Sequence, residues 1–210
     1  MTIQAGKIQG IFPCPVYIVK RDTNLTSREE KAIGKIIKEG VNKNAGNSTS
    51  NDSYIFDTKL KNLKEFCEQH IKKYAEEILN PKQELDFYIT QSWLNITKPG
   101  EYHHKHSHSN SIISGVFYIS TKEDDNITFS DPNAKVKELI SFESKEFNLW
   151  NATIWTFPAT NNALILFPSW LNHKVDTNEK ATTDRISLSF NTFARGTFGL
   201  HDSLTELILR

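Results

Sequence analysis

The chain has 210 residues, and its 25 basic and 25 acidic side chains cancel to a formal net charge of zero. That balance excludes the basic footprint of a nucleic-acid binder or of a protein docked on an anionic membrane, and the length suits one barrel or sandwich. Cys14 and Cys67 stand far apart and outside any Cys-x-x-Cys spacing, so neither a zinc ribbon nor a disulfide framework is expected. With no charged-then-apolar leader and no window approaching the roughly 18 apolar residues of a membrane span, the chain reads as a soluble, cytoplasmic protein.

Taken in order, Ile8 to Lys20 alternates apolar residues around Pro13 and Pro15, which confines it to an edge strand or an extended lead-in. The run from Ser27 then changes period: a capping box of Ser27 and Glu30 opens a helix that ends near Gly40, with Ala32, Ile33, Ile36 and Ile37 on one side. Asn42 to Ser53 is rich in Asn, Ser and Gly, which predicts a loop or a mobile lid. Lys59 to Leu79 carries a second helical stripe through Leu63, Phe66, Cys67, Ile71 and Tyr74, stopped by Asn80-Pro81. His70 beside it is expected to pack rather than to ligate.

After Pro81 the period falls to two. Leu85–Thr97, Ile112–Ser120, Ile127–Ser130, Trp150–Phe157, Ala163–Phe167, Lys174–Thr177 and Arg185–Phe193 read as short strands between turn residues. With the N-terminal strand they number about eight, as in a double-stranded β-helix or jelly roll. The expected fold is therefore mainly β, a cupin-like jelly-roll core over about 85–195 with buttressing helices over about 22–80, in one domain spanning 1–210. The C-terminal LHDSLTELILR is expected to be a short helix or tail.

Two stretches carry chemistry. Glu101 to Ser111 holds four of the seven histidines, His103, His104, His106 and His108. On a strand, residues two apart share a face at roughly 7 Å, which would turn His104, His106 and His108 one way and His103 the other. Neutral imidazoles suit iron, zinc, copper or nickel, and His173 offers a further ligand. A solvated His-rich surface loop is the plain alternative. The second stretch is the strand from Arg185, where Arg185, Ser187, Ser189 and Asn191 alternate with Ile186, Leu188, Phe190 and Thr192. If its polar face looks into a barrel, an arginine without a counter-charge there implies an anionic ligand. If it looks outward, Arg185 is an exposed arginine paired with a surface acid.

The wording QSWLNITKPGEYHHKHSHSNSIISGVFYIS, ALILFPSWLNHKV and RISLSFN, over roughly Trp93 to Asn191, resembles the iron(II)/2-oxoglutarate-dependent oxygenases, and in particular a subfamily common in bacteria and marine phages. The resemblance implies His106, His108 and His173 as catalytic metal ligands and Arg185 with Ser187 as the anchor of the far carboxylate of 2-oxoglutarate. Tyr118 would reach the same carboxylate, and Asn95 and Trp93 would line the pocket. His103 and His104 receive no role.

The implied cofactor set is iron(II), 2-oxoglutarate and O2. The implied reaction hydroxylates a C–H bond of a protein side chain such as proline, or of a small molecule, with release of succinate and CO2. The prime substrate and any homo-oligomer stay open. One departure matters. The usual site has two histidines and one carboxylate, and here His108 stands where the carboxylate would be, which leaves Glu101 or Asp131 as acids to be recruited. A cupin-like three-histidine metalloenzyme without 2-oxoglutarate, and a non-catalytic metal-binding jelly roll, remain as alternatives.

Overall fold

The computed structural model describes residues 6–137 and 142–210. Strand β1 (Tyr17–Lys20) and helix α1 (Ser27–Lys38) lead into a hairpin of β2 (Val41–Lys43) and β3 (Ser48–Ser50), then α2 (Ile55–Thr58) and α3 (Lys61–Tyr74). A π turn over Ala75–Leu79 ends α3, and Asn80, with φ of 43°, reverses the chain. There follow β4 (Asp86–Thr97), β5 (His103–His106), β6 (Ile113–Ser120), β7 (Asn126–Ser130), a short α4 (Ala134–Lys137), β8 (Ile154–Pro158), β9 (Ala163–Pro168), β10 (His173–Val175), β11 (Arg185–Phe198) and β12 (Leu207–Leu209).

The strands form two antiparallel sheets, one ordered β1-β9-β6-β11-β4-β3-β2 with β12 beside β11, the other ordered β5-β10-β7-β8. Because β4 to β11 pass back and forth between the sheets, they make the eight strands of a jelly roll.

Period-two alternation builds the layers. Val116 and Tyr118 of β6 and Ile165 and Phe167 of β9 face Ile127 and Phe129 of β7 between the sheets. Phe117, Leu164, Leu166, Leu188 and Phe190 point the other way, onto Ile33, Ile36, Leu63, Cys67 and Ile71 of the helices. The apolar face of β11 is thereby spent on the helical layer, so its polar face is left to the barrel interior. His70 packs as expected, its Nδ1 2.8 Å from Tyr17 Oη and its ring 4.6 Å from that of Phe66.

Several local expectations give way. The capping box is one residue earlier: Thr26 Oγ1 accepts from Glu29 N–H at 3.2 Å and Glu29 Oε2 from Thr26 N–H at 2.7 Å. Glu29 is preferred to Glu30 because it also pairs with Arg21 at 3.1 Å. Residues 42–53 are no free loop, since β3 docks on β4 with Ser48 opposite Ile96 and Thr49 opposite Asn95; composition could not reveal that β4 had an edge to offer. The C-terminus likewise adds β12 to β11 after one 3-10 turn, and β8 begins only at Ile154. No helix among the described residues is long and apolar enough to cross a membrane.

Gly115 shows how tightly the outer face is filled. A Cβ there would lie 2.2 Å from Phe190 Cζ, and Phe190 is 1% exposed and wedged against Phe56. Gly115→Ala is expected to cost about 2 kcal/mol through overpacking, a fall in Tm of roughly 4 to 8 °C. Gly34→Ala, in α1 with nothing within 4 Å of the added Cβ, should leave Tm equal or higher. Thermal unfolding of the two variants side by side checks both.

Candidate active site

Strands β5 and β10 are antiparallel neighbours in which His106 and His173 are directly opposed, their ring centroids 4.4 Å apart. His108 lies two residues beyond the end of β5, where its N–H donates to Ser169 O at 2.9 Å and its ring comes within 5.2 Å of that of His173. One ring nitrogen from each of His106, His108 and His173 falls within 4.8 Å of the others.

The hydrogen bonds select the tautomers. Nδ1 of His106 is 2.8 Å from His104 O and Nδ1 of His173 is 3.0 Å from Leu171 O; a carbonyl only accepts, so both Nδ1 atoms carry the hydrogen and both Nε2 atoms keep a lone pair. Burial, reinforced by the neighbouring imidazoles, pushes the pKa of His173 down to about 3 and that of His108 to about 4. Burial also lowers His106, against the pull of its bond to His104. Three neutral imidazoles are the form a divalent ion requires.

The strict alternation expected along this stretch is broken. From His173 to Val175 β10 advances two residues while β5 runs three, from His106 back to His103, and this bulge turns His103 onto the side of His106. The His103 ring stacks on that of His106 at 4.4 Å and 28°, and it lines the cavity with the other three. His104 is the exposed one, its Nδ1 3.3 Å from Ala45 O. Neither acid is recruited. Glu101 accepts from Lys98 N–H at 2.8 Å and Asp131 pairs with Lys137 at 2.7 Å, and the close ligand groups among the described residues contain histidine alone.

The polar face of β11 supplies the other end of the cavity. Arg185 is 7% exposed, and its Nη2 donates to Thr97 Oγ1 at 3.1 Å. It is not without a counter-charge: Asp125, itself buried, lies 3.8 Å from Nη1 and is held by Lys122 N–H and Asn178 Nδ2. The sequence offered no signal for that aspartate, which sits in a turn far from Arg185 in the chain. Thr97 could have been found by counting two from Asn95 along the same strand face.

Ser187 is buried, and its Cα partner on β6 is Tyr118. Tyr118 is 2% exposed and its buried Oη has no hydrogen-bond partner among the described residues. Burial raises the Tyr118 pKa, against Arg185 and with Asp125, so the phenol stays protonated and able to donate. Asn95 lines the cavity with its amide engaged, Nδ2 donating to Ser189 Oγ at 2.8 Å and Oδ1 accepting from Trp93 Nε1 at 3.3 Å.

The two ends share one cavity. At one end are imidazole lone pairs that could hold a metal, at the other a guanidinium and a phenol unpartnered among the described residues, both able to donate to an anion. A ligand that chelates a metal and ends in a carboxylate fits both donor sets.

Residues 91–191 match the family model described as "Putative 2OG-Fe(II) oxygenase". Solved structures share the fold. A prolyl-4-hydroxylase of Pseudomonas putida is 13% identical, with a TM-score of 0.54 over 85% of this chain and 92% of that one. HygX of Streptomyces hygroscopicus, solved with nickel, 2-oxoglutarate and hygromycin B, is 9% identical, with a TM-score of 0.54 over 85% and 82%. A Trichoplax adhaerens prolyl hydroxylase, solved with a hypoxia inducible factor peptide fragment, is 12% identical, with a TM-score of 0.56 over 85% and 83%. A search of curated proteins found no match. Residues 91–191, set on the jelly roll that carries the histidines and Arg185, thus match the 2OG-Fe(II) oxygenase domain.

Proposed function

We propose that the protein is a hydroxylase in which His106, His108 and His173 hold iron(II), and Arg185, Ser187 and Tyr118 hold the distal carboxylate of 2-oxoglutarate. The observation that carries this reading is the buried Tyr118 hydroxyl, which has no partner among the described residues, beside a buried Arg185 and in the same cavity as the three imidazoles. When bound, the metal and 2-oxoglutarate supply the oxygen chemistry that converts a substrate C–H bond to C–OH with release of succinate and CO2.

The chain's own part is orientation. His104 O and Leu171 O fix the rings of His106 and His173 so that Nε2 points inward, and Phe167 and Phe129 close off His173 from water. Arg185, steadied by Thr97, presents a two-pronged donor to the carboxylate. Because three neutral imidazoles leave the charge of the ion uncompensated, dianionic 2-oxoglutarate supplies what a carboxylate ligand does in the usual site. Metal and co-substrate should therefore bind with positive coupling. The substrate class is a protein side chain, proline among them, or a small molecule, in keeping with the range of ligands held by proteins of the same fold.

Protein supplied with iron(II), ascorbate and oxygen is expected to turn 2-oxoglutarate slowly into succinate without any prime substrate. Succinate no higher than in a metal-free control, together with no binding of 2-oxoglutarate, would end this reading. It would favour a three-histidine metalloenzyme that dispenses with 2-oxoglutarate, which the imidazole of His108 in the carboxylate's place would suit.

A further inference from the structure

The turn of the β2–β3 hairpin delivers another polar group into the cavity. Asn47, the residue before β3, is 3% exposed and lines the cavity with His103, Tyr118 and Arg185. One side of its amide is used: Asn44 Nδ2 donates to Asn47 Oδ1 at 3.0 Å, and Asn44 N–H to the Asn47 main-chain oxygen at 2.9 Å. The other side is not. Asn47 Nδ2 is buried without a hydrogen-bond partner among the described residues. With Asn44 Nδ2 also 3.4 Å from His103 Nε2, turning the Asn47 amide over by itself does not cure this, because its nitrogen would then face the nitrogen of Asn44, donor against donor.

Position and rigidity point the same way. Ser48 is paired with Ile96, so one more antiparallel step sets Asn47 beside Thr97, the Cα partner of Arg185. Asn47, Thr97 and Arg185 thus form a row across β3, β4 and β11. The turn is also fastened: Tyr102 N–H donates to Gly46 O at 3.0 Å, and Gly46 has φ of 92° with Tyr102 O 2.6 Å from where a Cβ would sit. Asn47 is held in place before any ligand arrives, which is what a binding group needs.

We propose that Asn47 is a co-substrate-binding residue whose Nδ2–H donates to a carboxylate oxygen of 2-oxoglutarate, so that a hairpin outside the jelly roll completes the dicarboxylate site. The inference rests on the reading of this cavity as a 2-oxoglutarate site. Arg185, Tyr118 and Asn47 present buried donors to one cavity, and a dicarboxylate, which only accepts, satisfies them together. Leaving a buried donor unmet costs the full desolvation of that group, so an occupant that meets it gains affinity from a debt already incurred in folding.

The test titrates 2-oxoglutarate anaerobically against the iron(II)-loaded protein, read from the metal-to-ligand absorption band, for wild type, Asn47→Ala, Asn47→Asp and Arg185→Ala, with metal content measured separately. Asn47→Asp is the sharper variant. It keeps the shape and the acceptor for Asn44 Nδ2 while replacing the donor by a negative oxygen. Asn47→Ala is expected to weaken 2-oxoglutarate roughly tenfold and Asn47→Asp more than about a hundredfold, with metal content as in wild type. If Asn47→Ala melts early, Asn47→Asp alone decides. Both variants binding like wild type while Arg185→Ala fails would overturn the role of Asn47 and leave the cavity reading standing. A wild-type protein that does not bind 2-oxoglutarate ends that reading, and the inference with it.

Discussion

Replacing His173 by Ala should strip the protein of its metal. His173 is opposed to His106 across β5 and β10, and no carboxylate among the described residues stands within the group to take its place. Loss of a residue that merely orients a ligand lowers metal affinity by 10- to 100-fold in metalloproteins. Loss of the ligand itself is expected to exceed that, on the order of a hundredfold or more, and His106→Ala should behave alike. Metal analysis after dialysis against micromolar iron(II) measures it, with circular dichroism confirming the fold. His108→Asp is the counterpart: an aspartate there recreates two histidines and a carboxylate, so iron should be retained and should depend less on added 2-oxoglutarate. Full iron occupancy in His173→Ala with loss in His106→Ala would move the metal to the neighbouring group of His103, His104 and His106, and full occupancy in both variants would show that it lies in neither group.

Arg185→Ala should separate co-substrate binding from metal binding. A buried, charge-assisted, two-pronged contact is worth about 2 to 5 kcal/mol, so affinity for 2-oxoglutarate is expected to fall more than tenfold while iron content holds. Part of the loss has a second source. Asp125, 3.8 Å from the guanidinium, is left as a buried carboxylate facing the incoming dianion, which adds repulsion to the missing attraction. The double variant Arg185→Ala, Asp125→Asn should therefore bind 2-oxoglutarate better than Arg185→Ala. Arg185→Lys should recover only part of the loss, because a point charge cannot reproduce the fork. Titration by the metal-to-ligand band gives the constants. An unchanged dissociation constant in Arg185→Ala would remove the carboxylate anchor and, with it, the proposed use of the pocket.

The sequence by itself determined the layers of this protein. Period two after Pro81 and the apolar stripes of α1 and α3 are local properties, and burial is their direct consequence. The same rule laid Arg185, Ser187 and Ser189 on one face of β11, and the family wording across Trp93 to Asn191 marked His106, His108 and His173 before any geometry was known.

What only the tertiary structure decided depends on the partner strand. A bulge exists only relative to a neighbour, so the turn that brings His103 onto His106 and sends His104 to solvent could not be read from HHKH. Asp125 reaches Arg185 from a turn 60 residues earlier in the chain, a contact that no periodicity encodes. Asn47 sits in a stretch whose composition says loop, yet the free edge of β4 turns it into a strand and buries its amide in the cavity. Edges, bulges and counter-charges are properties of pairs of segments, and a pair has no period along one chain.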